Sequence, residues 1–427
     1  METPLVIVGA GAAGLATAIF AARRLGPGRV LLLDTARRPG AKILVSGGGR
    51  CNVTNREVTE RDFSGGPPHL VRRVLRAFTA AEAVAFFRDM GVVLHEEEDG
   101  KLFPDTHKAR TVLDSLLVEA ARRGVELRGG VRVDGVEREQ RCEGRFVVRA
   151  GGALVRARRV VLATGGLSLP KTGSDGGGYA LARRLGHSLV PTTPALVPLV
   201  LEGRGHEALS GVSHPVELRL GGGSFRPTRI RGAMLWTHFG VSGPAVLDVS
   251  RHLLRARLEG EHPRLVANLL PGEDAAGLAR LLVAASRTRP RAGVRSVLDG
   301  RMPASVLDAV AKEVGVAPSV PVGQLPREQR RRLVLALTER DLAVRDSRGY
   351  NFAEVTAGGV PLAEVDLRTM ESRKCPGLHL VGEILDVDGR LGGFNFQWAW
   401  SSGFVAGEAI AAAQAPAIMR ASGARPS

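Results

Sequence analysis

The sequence has few cysteines, few aromatic residues and no long apolar run. Its 427 residues include three cysteines, Cys51, Cys142 and Cys375, without a CxxC pair. A disulfide framework is therefore not expected, and a reducing compartment is indicated. No apolar run approaches the roughly 20 residues of a membrane-spanning helix, and no cleavable leader precedes the first apolar segment. We expect a soluble, cytoplasmic protein that does not interact with membranes.

Several motifs of catalysis and metal binding are missing as well. The sequence has no serine-nucleophile elbow, no HExxH and no cysteine–histidine spacing typical of zinc sites, so no metal is expected. It has no second GxGxxG motif between buried strands, which excludes a separate NAD(P)H domain like that of disulfide reductases. Aromatic residues make up only 4% of the chain.

Positive charge and glycine are abundant. The formal net charge of +16 raises the question of a nucleic-acid partner. The basic residues are mostly arginines spread over predicted helix faces, with the densest run at residues 327–332, and no aromatic stacking platform accompanies them. A solvated surface is therefore the favoured interpretation, and nucleic acid is the less favoured partner. The 54 glycines cluster between apolar segments and indicate tight turns that approach a ligand closely.

The first glycine cluster is a G-x-G-x-x-G motif between a predicted strand and a predicted helix. Gly9 permits the sharp turn, Gly11 lets the backbone approach a pyrophosphate, and Gly14 lets helix and strand pack closely. The helix N-terminus attracts phosphate. Asp34 ends the next apolar strand, where it can bind ribose hydroxyls and disfavours the 2′-phosphate of NADP. The pattern predicts dinucleotide binding; the alternative is a purely structural glycine turn.

Three further segments favour FAD over NAD. Residues 42–55 hold three consecutive glycines beside small polar side chains, which suits phosphate, ribityl or ring-edge contacts. Residues 160–166 predict a buried strand that ends in a small-residue turn. Glu383 and Asp386 follow another predicted strand, and a helix begins after Gly393. Such a helix N-terminus would stabilise negative charge on a flavin pyrimidine edge. NAD needs no such second clamp.

With these segments the chain resembles the bacterial FAD-dependent oxidoreductases known as aminoacetone-oxidase-like or BaiN-like flavoproteins. The resemblance covers nearly the whole chain and is most specific in residues 42–55, 236–244 (WTHFGVSGP) and 382–403. It implies an α/β fold, in which a Rossmann-like, two-part FAD-binding domain carries an inserted β-rich and helical unit. Many FAD enzymes have Gly-Asp where this chain has Gly382-Glu383, a form that this family shares.

The cofactor-binding residues expected from the motifs and from this resemblance lie in both halves of the FAD-binding domain. They are Gly9, Gly11, Ala12, Ala13, Gly14, Asp34, Lys42, Ser46, Gly47, Gly48, Asn52, Val133, Ala163, Thr164, Gly165, Gly382, Glu383, Asp386, Gly393, Phe394 and Asn395.

Two side chains are candidates for the chemistry itself. His238 is suited to polarise a substrate carbonyl or relay a proton, and the alternative is a loop histidine that bonds to backbone. Arg50 is equally well a substrate anchor or an organiser of its loop. Arg50 also flanks Cys51, where it would lower the pKa of a reactive thiol, although a structural cysteine is favoured.

The pattern of residue types predicts the order of domains. Residues 1–190 and 350–415 are assigned to the discontinuous FAD-binding domain. Residues 191–270 and 340–350 predict an inserted domain of short antiparallel strands, and residues 271–339 a helical subdomain.

The finer secondary structure is predicted from the same periodicities. Residues 40–55 are expected to be a glycine-rich loop, and residues 70–90 a single amphipathic helix. Residues 145–148 and 153–156 predict a hairpin that leads into a separate buried strand over residues 160–163.

The predicted function is hydride transfer between a small organic substrate and non-covalently bound FAD. Two routes of electron supply stay open: NAD(P)H binds transiently at the flavin, or the substrate reduces the flavin and oxygen reoxidises it. An FAD-dependent RNA-modifying enzyme and a non-catalytic flavin-binding protein are the alternatives. The sequence leaves the oligomeric state open.

Overall fold

The structure is a computed structural model that describes residues 2–139, 145–222 and 227–422. It divides into two compact units. The first is formed by the described residues up to Thr192 and from Glu354 onward, and the second by those from Thr193 to Ala353.

The chain up to residue 195 contains strands and helices. Its strands are β1 (Glu2–Val8), β2 (Val30–Asp34), β3 (Thr54–Asn55), β4 (Phe63–Gly65), β5 (Leu94–Glu96), β6 (Lys101–Pro104), β7 (Glu126–Gly129), β8 (Val133–Arg138), β9 (Phe146–Ala150), β10 (Ala153–Leu162) and β11 (Val190–Ala195). Its helices are α1 (Ala12–Leu25), α2 (Ala41–Val45), α3 (Pro68–Ala77), α4 (Ala80–Asp89), α5 (Ala109–Arg122) and α6 (Gly177–Arg184).

The second unit combines a sheet with helices. Its strands are β12 (Leu199–Leu201), β13 (Ser213–Gly221), β14 (Thr228–Thr237), β15 (Gly240–Ser242), β16 (Arg264–Asn268), β17 (Arg340–Asp341) and β18 (Val344–Ser347). Its helices are α7 (Pro244–Leu258), α8 (Ala275–Thr288), α9 (Val294–Val297), α10 (Ala304–Glu313) and α11 (Arg327–Thr338). The strands follow the order β17-β16-β13-β14-β15-β12-β18, and the pairs are antiparallel.

The chain then returns to the first unit. The returning strands are β19 (Val355–Gly359), β20 (Val365–Asp366), β21 (Glu371–Ser372), β22 (Leu378–Leu380) and β23 (Val387–Gly389), and the last helix is α12 (Phe394–Ser422).

The core of the first unit is a mostly parallel sheet of order β20-β21-β22-β10-β1-β2-β7. Val6 of β1 pairs with Val160 of β10 on one side and with Leu31 of β2 on the other, both in parallel register. Residues 5–8 of β1 and 30–33 of β2 are continuously apolar and buried, as expected where helices cover both faces of such a sheet. This confirms the predicted Rossmann-like α/β fold.

Helices α1 and α12 pack on one another in the same direction. Gly403 of α12 faces Ala13 and Thr17 of α1, and Gly407 faces Phe20 one turn further on. Because both residue numbers rise together, the helices are parallel. Among the described residues, no helix is both long and apolar enough to cross a lipid bilayer.

Two predictions of secondary structure inside the first unit were wrong in detail. Residues 70–90 form two helices, because Thr79 starts α4 with a capping box: its side chain accepts a hydrogen bond from Glu82 N, and the Glu82 carboxylate accepts one from Thr79 N. The expected glycine loop at 40–55 begins with the short helix α2.

Two further predictions, one in each unit, were wrong. Strand β10 runs unbroken to Leu162, so the separate strand predicted at 160–163 is its buried second half. The strands predicted over 191–269 are interrupted by α7, which begins at Pro244 after Gly243 and buries Val246, Val249 and Leu253 at helical spacing.

Candidate functional site

The turn between β1 and α1 has the geometry that its glycines predict. Gly9 has a φ of +103°, and a Cβ on Gly9 would collide with the carbonyl of Ala163. A Cβ on Gly14 would collide with the carbonyl of Gly9. By contrast, a Cβ built on Gly11 meets no atom within 4 Å. Gly9 and Gly14 are therefore required by the fold, and Gly11 leaves room at the N-terminus of α1, which begins at Ala12.

Asp34 is held at the end of β2 by backbone amides. Ala10 N donates to Asp34 Oδ2 at 2.6 Å, and Ala36 N donates to Asp34 Oδ1 at 2.7 Å. The first bond ties the carboxylate directly to the turn before α1. Val131 N donates to the Asp34 carbonyl at 2.9 Å. Strand β8 begins two residues later, at Val133, and therefore starts close to the end of β2.

Lys42 and Glu383 form a partly buried ion pair between segments that are 341 residues apart. Lys42 Nζ lies 2.5 Å from Glu383 Oε2, and the two side chains are 25% and 18% exposed. Ser168 Oγ donates to Glu383 Oε1 at 2.7 Å and accepts from Lys42 Nζ at 2.6 Å. Thr356 N also donates to Glu383 Oε1, at 2.9 Å. Both Glu383 oxygens are thus bonded within the protein.

The loop after α2 is built on left-handed glycines. Gly47, Gly48 and Gly49 have φ of +54°, +67° and +84°. Ser46 Oγ donates to the Ile43 carbonyl at 2.7 Å and so anchors the loop to α2. A Cβ on Gly48 would meet no atom within 4 Å, which leaves its backbone open to a ligand.

Asn52 places this loop beside the start of α12. A Cβ on Gly393, whose φ is +90°, would lie 2.8 Å from Asn52 Oδ1 and 2.5 Å from the Thr54 carbonyl. Gly393 therefore permits the close approach of the two loops. Asn52 Oδ1 is buried, and it has no hydrogen-bond partner within the described part of the chain.

The C-terminal loop contacts the N-terminal turn. Gly382 has a φ of +73°, and its Cβ would lie 2.7 Å from the Cβ of Ala13. Ser402 Oγ accepts from Gly382 N at 3.0 Å, and Trp398 Nε1 donates to the Gly382 carbonyl at 3.1 Å. Helix α12 thereby fixes this loop beside α1. Asp386 N donates to the Val360 carbonyl at 2.8 Å, which fixes the next turn of the loop.

The first residues of α12 contribute mainly through their backbone. The Phe394 ring is buried against Phe63, at 6.2 Å between centroids. The Asn395 amide exchanges two hydrogen bonds of 2.8 Å with the backbone of Gly389. These side chains organise the loop, while the amide groups of the first helical turn have no partner inside the helix.

The turn after β10 completes this part of the site. Ala163 N donates to the Val8 carbonyl at 2.9 Å, and Gly165 has a φ of +71°. Thr164 Oγ1 is buried without a hydrogen-bond partner among the residues that the structure describes.

These residues fit an extended FAD. Gly11 and Gly48 have space where a side chain would stand, and Asn52 and Thr164 each bury a polar oxygen that the protein does not satisfy. Buried polar atoms of this kind need a partner. The N-terminus of α12 lies nine residues before Gly403, so it extends about 13 Å beyond the level of Ala13 in α1. The two helix N-termini are therefore staggered along one side, as a ligand with a phosphate end and a flavin end requires.

The two candidates for chemistry are placed differently. Arg50 NH1 binds Glu97 at 2.7 and 3.0 Å, and its guanidinium stacks on Phe103 at 4.2 Å. His238 belongs to the second unit, where it is exposed and lies edge-on to Phe239 with ring centroids 5.1 Å apart. Roles for both in the reaction stay predictions.

Cys51 is a structural residue. It is fully buried, and burial raises the pKa of its thiol to about 12, although a hydrogen bond with Ser46 acts in the opposite direction. The expectation that Arg50 lowers the pKa of a reactive Cys51 thiol is therefore wrong.

Ser168 and Thr356 are site residues that the motifs did not identify. Ser168 lies in the turn that follows the end of β10 at Leu162, and Thr356 lies in β19. The small-residue turn at 164–166 was the signal for the first; nothing in the pattern pointed to the second.

Comparisons with known proteins identify the family of this chain. The family model described as HI0933-like protein Rossmann domain matches residues 3–409. A 3-dehydro-bile acid delta(4,6)-reductase of Clostridium scindens is 35% identical over 405 residues, which are 95% of this chain and 98% of that protein. A ribosomal RNA dihydrouridine synthase of Escherichia coli is 35% identical over 412 residues, 96% of this chain and 98% of that protein.

Among solved structures, an E. coli quinol fumarate reductase has a TM-score of 0.51 at 16% identity, covering 99% of this chain and 73% of that chain. This likeness concerns the fold alone. The family match confirms the resemblance to BaiN-like flavoproteins and removes the non-catalytic alternative. The chain belongs to the HI0933-like Rossmann family and is an FAD-dependent oxidoreductase.

Proposed function

We propose that this enzyme transfers a hydride between non-covalently bound FAD and a small organic substrate whose carbon–carbon double bond is conjugated to a carbonyl. The two relatives are named for a reductase of delta(4,6) double bonds in a 3-dehydro-bile acid and for a synthase of dihydrouridine. Both names describe the addition of hydrogen to a ring double bond. That shared reaction supports the same class of substrate here.

The observation that carries the proposal is the contact between the opening turn and the closing loop. A Cβ on Gly382 would lie 2.7 Å from the Cβ of Ala13, and the Lys42–Glu383 pair joins α2 to the same C-terminal segment. The N-terminus of α1 would bind the pyrophosphate, and Asp34 would hold the ribose. FAD, when bound, supplies the hydride chemistry. The N-terminus of α12 would orient the ring and stabilise negative charge at its edge.

Replacement of Gly11 by valine tests cofactor binding. Gly11 has a φ of −81°, which any residue adopts, and its Cβ would meet no protein atom, so Gly11→Val is expected to fold normally. The valine would occupy space needed by the pyrophosphate. We expect FAD affinity to fall at least about tenfold, or about 1.4 kcal/mol, measured as flavin absorbance per protein and by titration with FAD.

Gly205→Val is the matched control, because Gly205 also has a permissive φ and no atom within 4 Å of its Cβ. It should remain as yellow as the wild type. A wild-type protein that is colourless and does not bind added FAD would refute the proposal.

NADH or NADPH is the proposed electron donor, binding transiently beside the flavin. The support is that the sequence carries a single GxGxxG turn between buried strands, and that turn belongs to the FAD site. Anaerobic mixing with NADH, NADPH or candidate enones separates the routes. Bleaching of the flavin by a nicotinamide, followed by recovery with an enone, supports the proposal. Bleaching only by a substrate would show that the substrate is the electron donor and would contradict the proposal.

RNA is a second candidate substrate, favoured by the net charge of +16 and by the name of the E. coli relative. A protein that neutralises phosphates loses affinity steeply as salt rises. Uridine reduction in ribosomal RNA, with binding that weakens strongly between low and physiological salt, would establish this candidate. Turnover of free enones without any action on RNA would remove it.

A further inference from the structure

A cluster of two imidazoles and two carboxylates lies outside the residues assigned to FAD. His95, Glu97 and His107 each offer one ligand atom, and these atoms lie within 4.8 Å of one another. Asp105 stands next to His95. The cluster is on the β5–β6 hairpin and the turn that follows it, within the first unit.

The backbone fixes the positions of the three side chains. His95 lies in β5, and Glu97 follows the last residue of that strand in extended backbone (φ −114°, ψ −174°), so the two side chains project to the same side. Glu97 N donates to the Lys101 carbonyl at 2.8 Å, which closes the hairpin. His107 N donates to the Pro104 carbonyl at 2.8 Å in a tight turn and has a φ of +52°, an uncommon value for a residue with a Cβ.

The spacing between ligand atoms suits a small divalent cation. Two ligands bound at about 2.1 Å in tetrahedral geometry are about 3.4 Å apart. His95 Nε2 lies 3.3 Å from Glu97 Oε1, and His107 Nδ1 lies 3.8 Å from the same oxygen. All three side chains are partly or largely exposed, so an ion has access from solvent.

His95 faces a carboxylate with each of its ring nitrogens. Nδ1 lies 3.0 Å from Asp105 Oδ1, while Nε2 faces Glu97. A neutral imidazole carries one N–H and satisfies only one of these contacts. A metal on Nε2 would leave the N–H on Nδ1 to donate to Asp105, the arrangement by which carboxylates orient metal-bound histidines.

Arg50 is the competing cation. Its guanidinium binds both oxygens of the Glu97 carboxylate, at 2.7 and 3.0 Å. A metal bound to Oε1 would share the carboxylate with Arg50, the residue that follows the left-handed glycines of the loop.

The geometry points to a binding site for a divalent transition metal, Zn²⁺ in the first instance, formed by His95, Glu97 and His107 and oriented by Asp105. Two imidazoles and one carboxylate are a ligand set that Zn²⁺ accepts, with water in the fourth position. The expected absence of a metal rested on missing cysteine–histidine spacings, a criterion that does not detect this set.

The test measures Zn²⁺ binding to the untagged, FAD-containing full chain. Binding is measured by calorimetry and, after dialysis, by metal analysis. We expect one saturable ion per chain. His95→Ala, His107→Ala and the near-isosteric Glu97→Gln should each lower the affinity at least about tenfold, and Asp105→Asn about tenfold, through loss of the orienting carboxylate. Arg50→Gln should raise the affinity, because it removes the competing charge.

His69→Ala is the matched control, since His69 is an exposed histidine on α3 of the same unit. It should bind Zn²⁺ like the wild type. Flavin content and circular dichroism identify a variant that fails to fold, and Glu97→Gln and Asp105→Asn retain side-chain volume for that reason. No saturable Zn²⁺ binding by the wild type, or equal binding by the ligand variants and His69→Ala, would overturn the assignment.

Discussion

At the scale of single residues, the Glu383 carboxylate is held by three protein groups. Lys42, Ser168 and the backbone of Thr356 all donate to it. A contact with a ribityl hydroxyl would therefore add to an existing network instead of creating one. The main effect of the network is to hold the glycine loop, the turn after β10 and the C-terminal loop together before any ligand is bound.

The raised pKa of Cys51 predicts a specific dependence of stability on pH. The unfolded thiol ionises from about pH 9, whereas the folded thiol resists ionisation until about pH 12. The contribution of this thiol to stability is therefore fully present below pH 9. Between about pH 9 and pH 12 the free energy of unfolding falls by about 1.4 kcal/mol per pH unit. Cys51→Ala lacks this loss, so the gap in unfolding free energy between wild type and variant should shrink by that amount above pH 9.

Urea unfolding at pH 8, 9 and 10 measures the gap, and all other groups cancel in the comparison of the two proteins. A gap that stays constant across these pH values would show that the thiol ionises equally well in the folded chain.

Single-residue roles were predictable where a motif dictates backbone geometry. Gly9, Gly11 and Gly14 have the conformations and spaces that their positions in the motif imply. For Ser168 the only signal in the sequence was the nearby small-residue turn, and for Thr356 there was none, because both become partners of Glu383 only when separate segments meet in the fold.

At the scale of elements, the parallel packing of α1 and α12 aligns the two ends of the site. Glycines at positions 403 and 407 let the helices approach closely: a Cβ on Gly407 would lie 2.8 Å from the Cβ of Phe20 and 2.9 Å from the Thr17 carbonyl. The backbone atoms in this contact cannot rotate away, unlike a flexible side chain.

Gly407→Ala should therefore destabilise the protein by about 1–3 kcal/mol through overpacking, despite the better helix propensity of alanine. Gly277→Ala in α8 is the control, because its Cβ would come closest to the end of the flexible Glu273 side chain and to the Asp274 carboxylate that caps the helix, and not to backbone. It should be neutral or stabilising by up to about 1 kcal/mol. Equal midpoints of thermal unfolding for the two variants would contradict the packing argument.

Element types were predictable from periodicity, and their ends less so. The buried strands and α1 were identified because apolar runs and glycine turns mark them. Helix α7 was missed because Val, Leu, Gly and Pro around residues 240–250 match a strand pattern locally, and only its packing on β13 and β14 selects the helix.

At the scale of the whole molecule, the first unit is interrupted by the second, yet the chain leaves and returns at one place. A Cβ on Gly358 would lie 2.6 Å from the Pro191 carbonyl, so the departing and returning segments run side by side. The first unit also contains every residue assigned to FAD. The sequence predicted an interrupted domain of this kind from the change in pattern near residue 190.

A chain in which residues 193–353 are replaced by a short Gly-Ser linker should therefore fold and bind FAD, with an affinity within about tenfold of the full chain. The same shortened chain carrying Gly11→Val is the control and should bind FAD at least about tenfold more weakly than the shortened chain without the substitution. A folded shortened chain that fails to take up FAD would show that the inserted unit contributes to cofactor binding.

The contact between α1 and α12 can form only late in the synthesis of the chain. Ala13 leaves the ribosome about 390 residues before Gly403, which at about 5–20 residues per second corresponds to roughly 20–80 seconds. During that interval the face of the first helix that receives the last one has no cover. We therefore expect flavin to load only near the end of translation, because a nascent chain stalled before residue 394 lacks the C-terminal residues proposed to bind it.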